Sequence, residues 1–145
     1  MNHKIIKMQE LKLTGIMGDG SKTTELWNEF DEKANKANLS DKSDGVGYEV
    51  RFDYDNKCDC FVGFNTEGEV KGFKTLILPE CEYVVFDVVV ANGYDSENDN
   101  MTNWLDENKN CYIQSTLDRK HYIIEIFGKK FNAGIVEMCI PLKKV

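Results

Sequence analysis

Residues 121–144 read HYIIEIFGKKFNAGIVEMCIPLKK, two β-rich runs separated by a basic, glycine-containing turn. Each run carries one carboxylate among apolar neighbours. A hairpin of Tyr122–Phe127 and Ile135–Leu142 centred near Phe131 sets Glu125 opposite Glu137 on one face, because side chains alternate along a strand with a period of two. Ile123, Phe127 and Ile135 share that face. The two acids are then partly desolvated and repel each other, which raises at least one pKa or calls for a cation. The competing arrangement is a half-buried antiparallel sheet with both glutamates toward solvent and Val136, Met138, Ile140 and Leu142 toward the core.

Outward from this hairpin the elements recur in a fixed order. Ile5–Ile16 alternates apolar and polar residues and ends in Gly18-Asp19-Gly20, a strand and a loop that Ser21 or Thr23 caps into a helix. Within Thr24–Asn38, Leu26, Trp27, Phe30, Ala34 and Ala37 form one apolar stripe at three- and four-residue spacings. The polar stretch Ser40–Gly45 leads to strands at Tyr48–Tyr54 and Asp59–Asn65, joined at Asp55-Asn56. After Thr66–Gly72 come Lys74–Leu78, the breaker Pro79 and the β-branched run Tyr83–Ala91. A second helix follows, capped by Asp95, Ser96 or Asp99, with Met101, Trp104 and Leu105 inward, then Cys111–Gln114 and the hairpin. Strand, helix, strand, strand thus occurs twice. The pattern predicts an α+β domain over residues 1–145, with modules at about 1–66 and about 72–145. Its curved antiparallel sheet is covered on one face by two helices, since each helix has a single apolar stripe to bury.

A chain of 145 residues is long enough to bury a real core as one domain. The formal charge of −7, with no dense Lys/Arg stripe, disfavours direct contact with nucleic acid and suits cationic or apolar small molecules. Five cysteines and two histidines lack zinc-site spacing, Cys58 and Cys60 being C-x-C, so structural or free thiols are expected, with neither metal nor cofactor. Charges interrupt the first residues every few positions and no apolar run reaches membrane-spanning length, so no membrane association and a reduced cytoplasmic setting are the defaults.

The ordered segments ELWNEF, GVGYEV, LPECEYVVFDVVVANG, the second-helix Trp104, IIEIF and VEMCIPLKK resemble the GyrI-like small-molecule-binding domains, the effector module also found behind AraC-type and multidrug-responsive MerR-type DNA-binding domains. Nearly the whole chain takes part. The resemblance implies duplicated strand-helix-strand-strand modules about a pseudo-twofold, with an aromatic-walled pocket and a central glutamate on the concave sheet face. It matches that glutamate to Glu125, with Glu137 a second acid. Tyr48, Phe127, Trp104 and Trp27 are the candidate walls. Core packing of an amphipathic helix is the alternative for both tryptophans and the preferred one for Trp27. The chain departs from many relatives at Asn110-Cys111-Tyr112, where the pocket rim is expected to differ. Its first strand starts almost at the N-terminus, so a stand-alone module without a helix-turn-helix is expected.

The function expected from the resemblance is binding of lipophilic cationic or aromatic small molecules, with Glu125 supplying charge. A second expectation is a hydrolase of reactive electrophiles, with Glu125 as general base and Tyr48 or Tyr112 orienting the substrate. No nucleophile elbow or His-based triad accompanies it, and His121 is read as structural. A third is a protein partner, a regulator or gyrase, met through the acidic stretches Asp95–Asp99 and Asp106–Glu107, which are otherwise a solvated helix face.

Overall fold

The structure, a computed structural model, describes residues 3–145. Its strands are β1 (His3–Met8), β2 (Leu11–Asp19), β3 (Ser43–Tyr54), β4 (Lys57–Thr66), β5 (Lys74–Leu78), β6 (Cys81–Val89), β7 (Tyr112–Gln114), β8 (Thr116–Leu117), β9 (Lys120–Phe127) and β10 (Ile135–Lys144). The helices are α1 (Thr23–Lys36) and α2 (Tyr94–Glu107). The strands form one antiparallel sheet in the order β1-β6-β10-β9-β3-β4-β2-β5, with β7 on β10 and β8 on β9. From the central β9–β3 pair outward, each half has the same sequence of roles: β9, β10, β6, β1 on one side and β3, β4, β2, β5 on the other. The repeated pattern of the chain is therefore a pseudo-twofold in space.

The outer strands are exchanged between the halves. Only Gln9 and Glu10 separate β1 from β2, yet β1 pairs with β6 at the far end of the sheet; only Pro79 and Glu80 separate β5 from β6, yet β5 pairs with β2. Two-residue connections cannot span a flat sheet of that width, so the sheet curls until its ends approach each other. Leu13, Tyr48, Val50, Phe52, Phe61, Leu78, Tyr83, Val85, Tyr122, Ile124 and Cys139 fill the inside of the curl. Gly15 and Gly63 face each other on one rung of the β2–β4 pair. A Cβ on Gly15 would run into the Val62 carbonyl oxygen, and one on Gly63 into that of Thr14, so the strands approach as closely as they do only because both residues lack a side chain.

Both helices lie on the other face. Leu26, Phe30 and Ala34 of α1 pack on Cys60 and Val62 of β4 and on Ile16 of β2. Met101 of α2, with Trp104 and Leu105 beside it, packs on Val84, Phe86, Val136 and Met138. Fully burying one residue such as Phe30 contributes about 1.5–3 kcal/mol, which is why each stripe is held against the sheet. The expected side-chain caps are not what starts the helices: the N-cap positions are Lys22 and Gly93, neither with a side-chain cap hydrogen bond. Asp19 instead accepts from the backbone and hydroxyl of Ser21 and folds the loop ahead of α1.

The C-terminal hairpin forms with a register one residue away from that expected. Met138, not Glu137, pairs with Glu125, and Glu137 pairs with Ile126. The connection includes a 3₁₀ turn, Lys129–Ala133, closed by Gly134 in the left-handed region at φ 78°, and this sets the offset. A one-residue slip moves every side chain to the opposite face, so Val136, Met138 and Ile140 pack beneath α2 while Glu137 turns away.

Candidate functional site

Between the two helices the sheet floor is made by β3 and β9. Alternate residues of β3, Gly47, Glu49 and Arg51, stand opposite Phe127, Glu125 and Ile123 of β9. The two glutamates are direct cross-strand partners, 7 % and 6 % exposed. At one end of this floor Trp27 of α1, Phe127 and Phe131 enclose a hollow of about 360 Å³ with Asp31 at its rim. At the other end Thr23, Tyr94 and Asn98 close over Arg51, Ile123 and Met138 around about 340 Å³. Glu49 and Phe127 line both, so the hollows are two halves of one cleft with the acids at its middle.

The aromatic half is ordered by edge-to-face packing. Trp27 and Phe127 have ring centroids 5.8 Å apart at 85°, and Phe127 and Phe131 5.2 Å apart at 87°. A Cβ at position 47 would come within 3.2 Å of Trp27 Cη2, so glycine there lets the indole lie close over the strand.

The two acids are not alike. Trp27 Nε1 donates to Glu49 Oε1 at 2.9 Å, and Arg51 Nη1 lies 3.4 Å from Glu49 Oε2. Arg51 is held from its far side by donating Nη2 to the Gly20 carbonyl at 3.0 Å. Glu125 shares its hydrogen bond with Glu49 and forms no ion pair among the described residues. Burial, that hydrogen bond and the charge of Glu49 push the Glu125 carboxyl up to about 9, against a smaller opposing pull from Arg51. Burial and the same two acids also raise the Tyr94 hydroxyl. At neutral pH the Glu125 carboxyl therefore keeps its proton.

Of the residues singled out from the sequence, Glu125, Phe127 and Trp27 meet in this cleft, and Trp27 does so by its indole N–H as well as its ring. Tyr48 does not: adjacent to Glu49 on β3, it points into the curl and is 7 % exposed. Glu137 is also on that side of the sheet, 3.8 Å from Lys130 Nζ and beside Asp87. Trp104 packs on Phe86 at 6.1 Å and on Tyr112 at 6.3 Å, in the core under α2, which takes both Trp104 and Tyr112 away from the acids. Because apolar side chains fill the inside of the curl, the open cleft belongs to the helix-bearing side rather than to a concave face. Glu49, Arg51 and Tyr94 are additional. A signal for Glu49 was present in Tyr48-Glu49-Val50, the first module's counterpart of Ile124-Glu125-Ile126 in the second strand of the repeat.

Elsewhere, a polar hollow of about 540 Å³ lies between Asp41–Asp44 and Asn65–Glu67, without an aromatic wall. Among the described residues no helix is long and apolar enough to cross a membrane, and no three His, Cys, Asp or Glu side chains are placed to hold a metal ion.

No family model matches the chain. No curated protein matches it either. Solved structures do. SAV2435 bound to tetraphenylphosphonium superposes with a TM-score of 0.74 at 15 % identity, over 99 % of this chain and 94 % of that one. The EcmrR C-terminal domain gives 0.62 at 14 % identity over 99 % and 98 %. The fold is GyrI-like. A hydrolase from Listeria innocua also shares it, at 0.62 and 10 % identity over 97 % and 91 %. Within the GyrI-like fold of this chain, the β3–β9 pair on the pseudo-twofold is where the two modules bring one acid each.

Proposed function

We propose that this chain binds lipophilic aromatic cations in the cleft between α1 and α2, with Glu125 as the counter-charge and Trp27, Phe127 and Phe131 as the aromatic wall. The observation that carries the reading is the position of Glu125: 6 % exposed, facing the cleft, and without a cationic partner among the described residues. A buried carboxyl with no cation of its own keeps its proton, and a positive guest is what would restore its charge. Ring faces and edges around it add cation–π and stacking contributions of about 0.5–2 kcal/mol each, with little demand on ligand shape. The likeness to a fold that holds tetraphenylphosphonium in SAV2435 supports the same ligand class.

The hydrolase reading needs an ionised Glu125 to take a proton from water. Burial and Glu49 push that carboxyl up to about 9, so a base there must first lose its proton, and nothing in the cleft but a guest cation would draw it off. The acidic residues of α2 remain as a solvated face beside the cleft.

The test is titration of tetraphenylphosphonium and of neutral triphenylphosphine oxide into the protein and its Glu125→Gln variant, with mass spectrometry of the recovered ligand. The variant should lose about tenfold or more of the cation affinity, about 1.4 kcal/mol, while the neutral compound changes little. Equal losses for both compounds would remove the charge from the explanation, and recovery of a hydrolysed ligand would make the chain an enzyme.

A further inference from the structure

The two modules put a glutamate at the same place, but they surround it differently. Two residues after Glu49 on the cleft face comes Arg51; two residues after Glu125 comes Phe127. The fifth residue of α1 is Trp27, which donates to Glu49, whereas the fifth residue of α2 is Asn98, and no hydrogen bond joins Asn98 to Glu125 among the described residues. The first acid is thus supplied with a cation and a donor, and the second with an aromatic ring.

We infer that Arg51 sets the charge class of the ligand: by occupying Glu49 it leaves Glu125 as the single acid of the cleft floor open to a guest, so the floor accepts one positive charge and gives up one proton for it. This inference rests on the proposed binding of cations in the cleft. Arg51 is suited to the role because it is fixed at both ends, to Glu49 Oε2 at 3.4 Å and to the Gly20 carbonyl at 3.0 Å. With Arg51 in place, two carboxyl groups and one guanidinium leave one acid uncompensated. Without it, two carboxylates on one rung would face the guest.

The proton follows from the same count. The titratable and charged groups around Glu125 are Glu49 and Arg51 from β3, Tyr94 from α2, and Cys60 on β4 beside Arg51, whose thiol burial pushes up to about 12. From β10 the neighbour is Met138, and from α1 it is Thr23, with Asp31 farther along α1 at the rim of the aromatic half. Glu125 is the carboxyl in the cleft that a guest cation would make give up its proton. A cation seated against it favours the carboxylate, the O–H bond breaks, and the proton passes to solvent. Affinity for the cation then rises with pH, by about tenfold per unit, until Glu125 ionises in the free protein.

The experiment uses two flat biaryls of nearly the same shape, 1-methyl-4-phenylpyridinium with one charge and methyl viologen with two. Calorimetry of the wild type in phosphate and in Tris at neutral pH should show about one proton released per 1-methyl-4-phenylpyridinium bound. In Arg51→Gln the ratio of dication to monocation affinity should rise about tenfold or more, and Arg51→Lys should keep the wild-type ratio. If both probes bind the wild type without proton release, or if the ratio in Arg51→Gln stays within twofold of wild type, the inference fails and the binding function stands. If neither probe nor tetraphenylphosphonium binds the wild type, the binding function itself falls and takes the inference with it. The proton count is made on the unaltered protein, so it decides even if Arg51→Gln does not fold.

Discussion

Glu49 and Glu125 occupy one rung of the β3–β9 pair, the rung at which each module presents an acid to the other. Opposed like charges on a buried rung destabilise a sheet, and here the cost is reduced by a proton on one member and by Arg51 and Trp27 on the other. Fold stability and ligand chemistry therefore draw on the same four side chains.

Glu125 makes stability depend on pH. The folded protein holds its proton up to about 9, whereas an unperturbed glutamate releases it near 4.5, so between those values the folded state binds more protons than the unfolded one. Stability then falls as pH rises, by up to about 1.4 kcal/mol per unit, with no penalty below the lower value and the full penalty above the upper. In Glu125→Gln this slope disappears. Urea unfolding of both proteins at pH values spanning the interval should show the variant gaining on the wild type as pH increases; a constant gap would contradict the shift.

The two tryptophans separate ligand effects from packing effects. Trp27→Phe removes the indole N–H from Glu49 and one wall of the aromatic half, and should weaken tetraphenylphosphonium binding by about tenfold. Trp104→Phe leaves the cleft intact and loses contacts to Phe86 and Tyr112, costing about 1–3 kcal/mol of stability with affinity unchanged. Ligand titration and urea unfolding on the same samples check both.

Inside the curl, the Tyr83 and Tyr122 hydroxyls lie 2.9 Å apart, each tyrosine 1 % exposed. Tyr83→Phe strands the other hydroxyl and should cost about 1–3 kcal/mol. The double change, Tyr83→Phe with Tyr122→Phe, removes both polar groups and should recover part of that loss. A double variant as unstable as the sum of the two singles would mean that the pair is not coupled.

Gly15→Ala should prevent folding or cost more than about 3 kcal/mol, because its Cβ meets backbone on β4 that has nowhere to go. Gly68→Ala, with open space around it, should fall within about 0.5 kcal/mol of wild type. Circular dichroism and thermal melting distinguish these outcomes.

Much of this protein was legible in its residues because local periodicity has local causes. The stripe Leu26, Phe30 and Ala34 recurs every four residues whatever it packs on, and the alternation through Tyr122–Phe127 marks a strand before any partner is known. The repeated order of elements likewise needs only one face per element to bury. Glu125 was distinguishable for the same reason, as an acid in the middle of an apolar strand.

What the residues alone could not decide was which side chains share a face across strands distant in sequence. Register between β9 and β10 depends on a 3₁₀ turn and a left-handed Gly134, and the one-residue difference sent Glu137 to the other side of the sheet. Tyr48 and Glu49 are neighbours in the chain, and only the pairing of β3 with β9 assigns one to the interior of the curl and the other to the cleft. Trp27 and Trp104 lie on similar helices, and only the placement of α1 over Gly47 brings Trp27 to an acid. The sequence determined the elements, their order and their buried stripes, since these follow from spacing along the chain. The tertiary structure decided the partner of Glu125, because that partner lies 76 residues away and is chosen by the register of a whole sheet.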